Sequence, residues 1–138
     1  MAKSITLAIM DAPYETTCST TAFRIMDAAV RKGYSVNVFA YEGAVNLSMA
    51  EQKPHPNPAK GTSVEEEEHL MTKDLVSELF AQAKVKGLEI DWVNCGLCVD
   101  ERGAGNWVEG PRRGGPGDFL TQAAGSDATL VIPTKRNS

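Results

Sequence analysis

Cysteine is scarce in this chain. Three thiols among 138 residues are too few, and odd in number, to close a disulfide framework, so they read as metal ligands, nucleophiles or buried apolar groups in a reducing compartment. Long hydrophobic runs are missing too. No apolar stretch approaches the roughly 20 residues that cross a bilayer, and no membrane partner is expected. The apolar stretch after Lys3 is too short for a signal-peptide core and is followed by no small-residue cleavage site, so the protein is expected in the cytoplasm. Positive charge is not in excess. The formal net charge is −4, which argues against nucleic acid as a partner, because phosphate-tracking surfaces draw their affinity from concentrated Lys and Arg. Neither a Gly-x-Gly-x-x-Gly nor a phosphate-loop pattern occurs, and no organic cofactor is expected.

What is present is an ordinary globular balance, 42% apolar and 23% charged, in a chain long enough to bury a core as one domain spanning 1–138. "SITLAIM", Ser4 to Met10, is a short run of strand formers followed by Asp11, Pro13 and a Thr/Ser cluster suited to starting a helix. Ala22, Ile25, Met26, Ala29 and Val30 then recur at helical spacing, and Gly33 marks the stop. "YSVNVFAYEG" predicts a second strand. Pro54, Pro56 and Pro58 remove backbone donors, which predicts a long flexible loop over about 46–62. Ser63 with Glu66 matches a capping box, and the acidic run Glu65 to Glu68 complements the helix dipole, so a second helix is expected from Ser63 through Ala83 to Gly87. "LEIDWVN" predicts a third strand leading into Cys95. Six glycines, Pro111 and Pro116 between Glu101 and Gly117 predict an exposed, mobile loop over about 104–117. A short helix and a fourth strand, Thr129 to Pro133, follow, with a polar tail.

Alternating strands and helices predict an α/β fold, a mostly parallel sheet covered on both faces in three layers. In such sheets reactive groups gather beyond the carboxyl ends of the strands. Cys18, His55, Cys95 and Cys98 all follow predicted strands at that edge.

"WVNCGLCVDERG", Trp92 to Gly103, raises the central question, because its two cysteines lie three positions apart. A zinc site needs about four ligands. Completing one would draw Cys18 and either His55 or His69 from segments without recognisable spacing, so no metal is expected. A thiol-disulfide pair fits Cys-x-x-Cys at a strand-to-helix junction, where a helix N-terminus lowers the pKa of the first thiol. The rigid Gly-Pro type of spacer is absent, however, and Gly96-Leu97 stands in its place. The third reading makes Cys95 a lone nucleophile. A thiol just past a strand end, with Gly96 allowing close approach, is expected to be accessible and biased towards thiolate. Cys98, between Leu97 and Val99, and Cys18, at a helix start, also fit plain packing. The residues alone leave these alternatives open.

Four places resemble the DsrE family. "APYET" follows the first strand like the family's turn before its first helix, and "YEGAVN" ends the second strand like its Asp-Gly-Val turn. "WVNCGLCVDERG" places Cys95 where sulfur-carrying members keep their cysteine, ahead of an Arg-Gly pair like Arg102-Gly103, and "DFLTQAAGSDATLVIP" is similar to the closing helix and strand. The resemblance implies a small DsrE-like α/β fold and a sulfur carrier or sulfurtransferase that holds sulfane sulfur as a persulfide on Cys95. It also implies a protein partner that donates the sulfur or accepts it on a thiol, and assembly into trimers, hexamers or hetero-oligomers with related subunits.

Two features depart from the family pattern. Cys98 is an extra thiol that could resolve the persulfide or relay its sulfur. The Gly-rich loop carries Arg112 and Arg113, which could attract an anionic donor such as thiosulfate, although two arginines on a solvated loop usually have no specific role. Among the remaining residues, Glu65 to Glu68 read as a solvated first turn, with a patch for a basic partner as the minority reading, and His55 and His69 as surface groups. Trp107 is expected either packed over the site or anchored at a subunit contact. Asp11 is expected to cap the turn after the first strand. A redox pair of Cys95 and Cys98, or a subunit serving assembly alone, are the alternatives to a carrier.

Overall fold

In the computed structural model, residues 3–68 and 70–134 are described. Five strands form one parallel sheet in the order β4-β3-β2-β1-β5. The chain runs β1 (Ser4–Ile9), α1 (Cys18–Arg31), β2 (Ser35–Ala40), a 3-10 helix (Glu42–Ser48), α2 (Val64–Glu67), α3 (Thr72–Val85), β3 (Ile90–Cys95), α4 (Gly96–Arg102), β4 (Arg112–Gly114), α5 (Pro116–Ala124) and β5 (Ala128–Ile132). Among the described residues, no helix is long and apolar enough to cross a membrane.

Side chains alternate across each strand, so the sheet has two distinct faces. Ile5, Leu7 and Ile9 of β1 and Val36, Val38 and Ala40 of β2 pack with Ala22, Phe23, Met26 and Val30 of α1 and Val76, Leu79 and Ala83 of α3. Trp92 is fully buried in this first core, stacked on Phe23 with ring centroids 6.0 Å apart. The opposite face carries Phe39, Val93 and Cys95, which pack with Cys98, Val99 and Phe119 from α4 and α5. These layers form the expected α/β/α sandwich.

The first strand, first helix, second strand and third strand form where the hydrophobic spacing predicts them. Three expectations are corrected. The Ser63–Glu66 capping box is present, with Glu66 N–H donating to Ser63 Oγ and Ser63 N–H to Glu66 Oε1, both at 3.2 Å. The single long helix it was expected to open is not. The first turn ends at Glu67, Glu68 takes a left-handed conformation, and a new helix begins at Thr72. That second start is capped from a distant loop: Gln52 Oε1 accepts from Lys73 N–H at 2.9 Å, and Lys73 Nζ donates to Ala50 and Gln52 carbonyls. Residues 46–62 are not wholly loop either, because the 3-10 helix runs to Ser48 with Ala44, Val45 and Leu47 buried. The largest correction concerns 104–117, where Arg112–Gly114 is a strand paired with β3 and α5 starts at Pro116. Ion pairs hold that strand in place: Arg112 with Asp91 and Asp118, and Arg113 with Asp100. The strand predicted at Thr129 to Pro133 is therefore the fifth, Ala128–Ile132, beside β1.

Candidate functional site

Cys95 is the last residue of β3 and the residue from which α4 begins. The buried strand must end here because the backbone turns directly into a helix, and Cys98 lies one turn further on, on the same inward side. The structure brings these two thiols together. The Cys98 thiol interacts with the Cys95 sulfur and accepts a hydrogen bond from Glu42 N–H at 3.2 Å. Burial pushes the Cys98 thiol pKa up from its ordinary value, the Glu42 amide opposes that, and the adjoining Cys95 sulfur adds to it.

Accessibility is where the expectation for Cys95 fails. Cys95 is 2% and Cys98 5% exposed. The second core closes over both, with Val99, Ala104, Tyr41 and Trp107 around them. Trp107 packs back over the site, with its indole N–H donating to the Pro111 carbonyl at 2.9 Å. The close approach that Gly96 permits is used by the protein itself. A Cβ on Gly96 would lie 2.7 Å from Arg113 Nε and 2.8 Å from its Cζ, so the guanidinium lies against the backbone next to Cys95. Asp100 fixes Arg113 there with two bonds of 3.0 and 2.8 Å, and the guanidinium holds the Asp100 carboxyl below its usual range.

Arg112, its neighbour in sequence, is engaged elsewhere. It donates to both oxygens of Asp91 at 2.8 and 3.1 Å and to Asp118 at 3.1 Å. The expected role of Arg112 and Arg113 as loop residues attracting an anion is not what the geometry offers, since each guanidinium already faces carboxylates.

Sequence reasoning overlooked Tyr41 and Glu42. Glu42 has φ 51°, a left-handed conformation uncommon for a residue with a side chain, and this aims its amide at Cys98. The neighbouring Gly43 packs so tightly on the turn after β1 that an added Cβ would meet Ala12 Cβ at 2.8 Å. The only sequence signal was the Tyr-Glu-Gly turn itself. Glu42 raises the Tyr41 pKa, and the Cys98 sulfur, burial and the Cys95 sulfur raise it further; Tyr41 packs against the cluster that holds both thiols. An open cleft of about 650 Å³ adjoins this corner, lined in part by Asp11, Glu15, Tyr41, Glu42 and Arg102. Arg102 pairs with Glu42 at 3.2 Å. A larger cleft of about 880 Å³ opens at the other end of the sheet near Ser35, Asn37 and Glu89, away from the sulfur chemistry.

The remaining candidates do not converge on the thiols. Cys18 starts α1, half-buried, with its amide donating to Thr16 Oγ1 at 3.0 Å. Asp11 is buried and caps the turn before α1, accepting from Thr16 Oγ1 through its carboxylate and from Ser19 Oγ through its carbonyl. His55 is exposed, with Nδ1 2.8 Å from the Pro56 carbonyl oxygen. His69 lies outside the described residues. Among the described residues, no three His, Cys, Asp or Glu side chains gather where they could hold a metal ion.

Comparison with known proteins agrees with this architecture. No curated protein sequence matches the chain. The crystal structure of the YchN protein from E. coli superposes with a TM-score of 0.71 at 18% sequence identity, over 95% of this chain and 99% of that one, a likeness of fold. The profile of the DsrE/DsrF-like family matches residues 3–132. On that match, with the sheet and the cysteine at its carboxyl edge, this chain belongs to the DsrE/DsrF-like family.

Proposed function

We propose that the protein is an intracellular sulfur carrier or sulfurtransferase that holds sulfane sulfur as a persulfide on Cys95 and relays it to a partner thiol. Family membership suggests sulfur relay. The observation that carries the specific assignment is Cys95 at the carboxyl end of β3, with the Cys98 thiol and the Arg113 guanidinium beside it. The Cys95 thiolate attacks the outer sulfur of a donor persulfide, a new S–S bond forms on Cys95, and the donor leaves as its own thiolate. An acceptor thiolate then attacks that outer sulfur and Cys95 leaves as thiolate. Neither step needs an added oxidant or reductant.

Burial of Cys95 bears on the identity of the donor. Among the described residues, Asp11, Glu15 and Glu42 line the adjoining cleft opposite Arg102, a charge balance that favours sulfur delivered on a docked protein thiol over a small oxyanion such as thiosulfate. A second reading, a thiol-disulfide pair, is favoured by one specific observation, the contact between Cys95 and Cys98.

The two readings are separated by cyanolysis. Protein loaded with polysulfide and desalted is treated with cyanide, which removes the outer sulfur as thiocyanate. Thiocyanate released by wild type and Cys98→Ser, and absent from Cys95→Ser, is the expected result. Absence from all three proteins contradicts the carrier assignment.

A further inference from the structure

Cys95 is 2% exposed, yet sulfur transfer requires a donor and an acceptor to reach its thiol. A side chain therefore has to move, and the packing narrows which one. Four partly buried side chains lie against the cluster that holds the thiols: Tyr41, Met49, Trp107 and Phe119. Met49 and Trp107 are joined by an antiparallel bridge, and the Trp107 indole N–H is pinned to the Pro111 carbonyl at 2.9 Å. Phe119 belongs to α5 and is stacked on Phe39 beneath that helix. Tyr41 is the one of the four that also lines the cleft of about 650 Å³ shared by Asp11, Glu15 and Glu42. Its ring stands between the cleft and the thiol cluster.

The backbone at Tyr41 is fixed while its side chain is not. Its N–H donates to the Ile9 carbonyl at 2.9 Å, and its carbonyl accepts from Ala44 N–H at 3.0 Å. Glu42, next in the chain, makes the left-handed turn whose amide meets the Cys98 sulfur. The ring itself is half-buried and stacks on Phe39 with centroids 5.7 Å apart. Among the described residues its hydroxyl makes no hydrogen bond, so the ring can turn about its side-chain torsions without giving one up. The turn that presents the Glu42 amide to Cys98 stays in place as it does so.

We infer that Tyr41 is the gate between the cleft and Cys95, swinging aside to admit the thiol of a docked protein and closing over the Cys95 sulfur when that protein leaves. The inference rests on the carrier reading and adds to it the route and a source of selectivity. A reagent that cannot hold the ring aside reacts only during the fraction of time the gate stands open. A protein seated in the cleft binds the open arrangement better than the closed one and shifts the population towards it. Sulfur on Cys95 is thereby passed between docked proteins and kept from small thiols in solution.

The test is the rate of Cys95 alkylation by iodoacetamide, read by peptide mass mapping, in wild type, Tyr41→Ala, Tyr41→Phe, Met49→Ala and Glu15→Trp. Tyr41→Ala is expected to speed alkylation by about tenfold or more, since minor open states are commonly populated at about 10% or less. Tyr41→Phe keeps the ring and is expected to react like wild type, as is Met49→Ala, which lines the thiol cluster but not the cleft. Glu15 is exposed on the cleft wall, and Glu15→Trp is expected to slow the reaction with Tyr41 intact. Wild-type Cys95 that reacts as fast as in the unfolded chain overturns the inference. So does a Tyr41→Ala rate equal to wild type, an equal acceleration in Met49→Ala, or an unchanged rate in Glu15→Trp. The Glu15→Trp arm decides the matter even if Tyr41→Ala fails to fold. On polysulfide-loaded protein, cyanide is expected to release thiocyanate faster from Tyr41→Ala than from wild type. Failure of every protein to load would remove the carrier reading, and the alkylation rates would still decide the gate.

Discussion

One face of the sheet holds two halves of opposite character under the same helix. Towards the carboxyl ends of the strands, Phe39, Val93 and Cys95 meet Phe119 of α5, with Phe39 and Phe119 stacked at 5.6 Å. Towards the amino ends, the same face and the same helix meet through polar groups. Gln122 Nε2 donates to Asp91 at 3.1 Å and more weakly to the Val38 carbonyl, Asn37 Nδ2 donates to Thr6 Oγ1 at 3.2 Å, and Ser126 Oγ bonds both Thr6 and the Gln122 carbonyl. Among the described residues, Gln122 Oε1 is left as a buried side-chain oxygen without a partner. The polar half is a structural lock of mostly neutral hydrogen bonds, with Arg112 paired to Asp91 and Asp118. The apolar half keeps two thiols dry and brings one guanidinium to them. The difference teaches that polar density and the candidate site do not coincide in this fold. The candidate site is the apolar half, where the Glu42 amide meets the Cys98 sulfur.

The comparison can be broken at the junction of the halves. Gly114 pairs with Cys95 across the strands, and an added Cβ would press on the Asp118 carboxylate and on Val93 Cγ1, the latter at 2.6 Å. Gly114→Ala is expected to destabilise the protein by about 1–3 kcal/mol, the usual cost of overpacking. A thermal melt lowered by several degrees supports this, and an unchanged melt contradicts it.

Arg112→Ala tests the polar half alone. Because its ion pair with Asp91 is about half exposed, with side chains 48% and 37% accessible, the expected loss is about 1 kcal/mol or less. Sulfur loading on Cys95 is expected to stay at the wild-type level. A loading defect would show that the halves are not separate.

Acid offers a graded test of the same lock. Asp91 is held below the ordinary carboxylate range, chiefly by Arg112, and Asp118 by the Gly115 amide and then Arg112. Carboxylates depressed in the folded state stabilise it above their unfolded pKa of about 3.9 and lose that contribution as pH falls through the folded values. Wild-type stability is expected to fall below about pH 4, and the fall to be shallower in Arg112→Ala. Equal slopes in urea titrations at low pH would remove Arg112 from the account.

Gly96→Ala is expected to have the smallest effect on stability, since the group in its way is a flexible arginine end. Its signature is chemical. Arg113 is displaced from the backbone beside Cys95, and sulfur loading on Cys95 is expected to fall while the melt stays within a few degrees. Unchanged loading would separate Arg113 from the thiol.

Much of the fold was legible because it rests on periodicity. Ala22, Met26 and Val30 at helical spacing, and the apolar runs of β1, β2 and β3, specify elements that the core then rewards. β4 was not legible, since three residues allow no alternation to be read and its stability comes from Asp91, Asp100 and Asp118, distant in sequence. The break between α2 and α3 was hidden for a similar reason, because the cap at Lys73 is supplied by Gln52. At the site, the Cys-x-x-Cys spacing brought out Cys95 and Cys98. It said nothing of Glu42, whose contribution is a backbone amide in a left-handed turn, nor of the burial of both thiols in a cluster against which Trp107 and Phe119 pack.

The central claim, sulfur carried on Cys95, is tested most directly by intact mass spectrometry of wild type, Cys95→Ser and Cys98→Ser after exposure to polysulfide. The account predicts added sulfur on wild type and Cys98→Ser and none on Cys95→Ser. Loss of two hydrogens that requires both cysteines, with no sulfur gained, would contradict it and make the pair a thiol-disulfide couple.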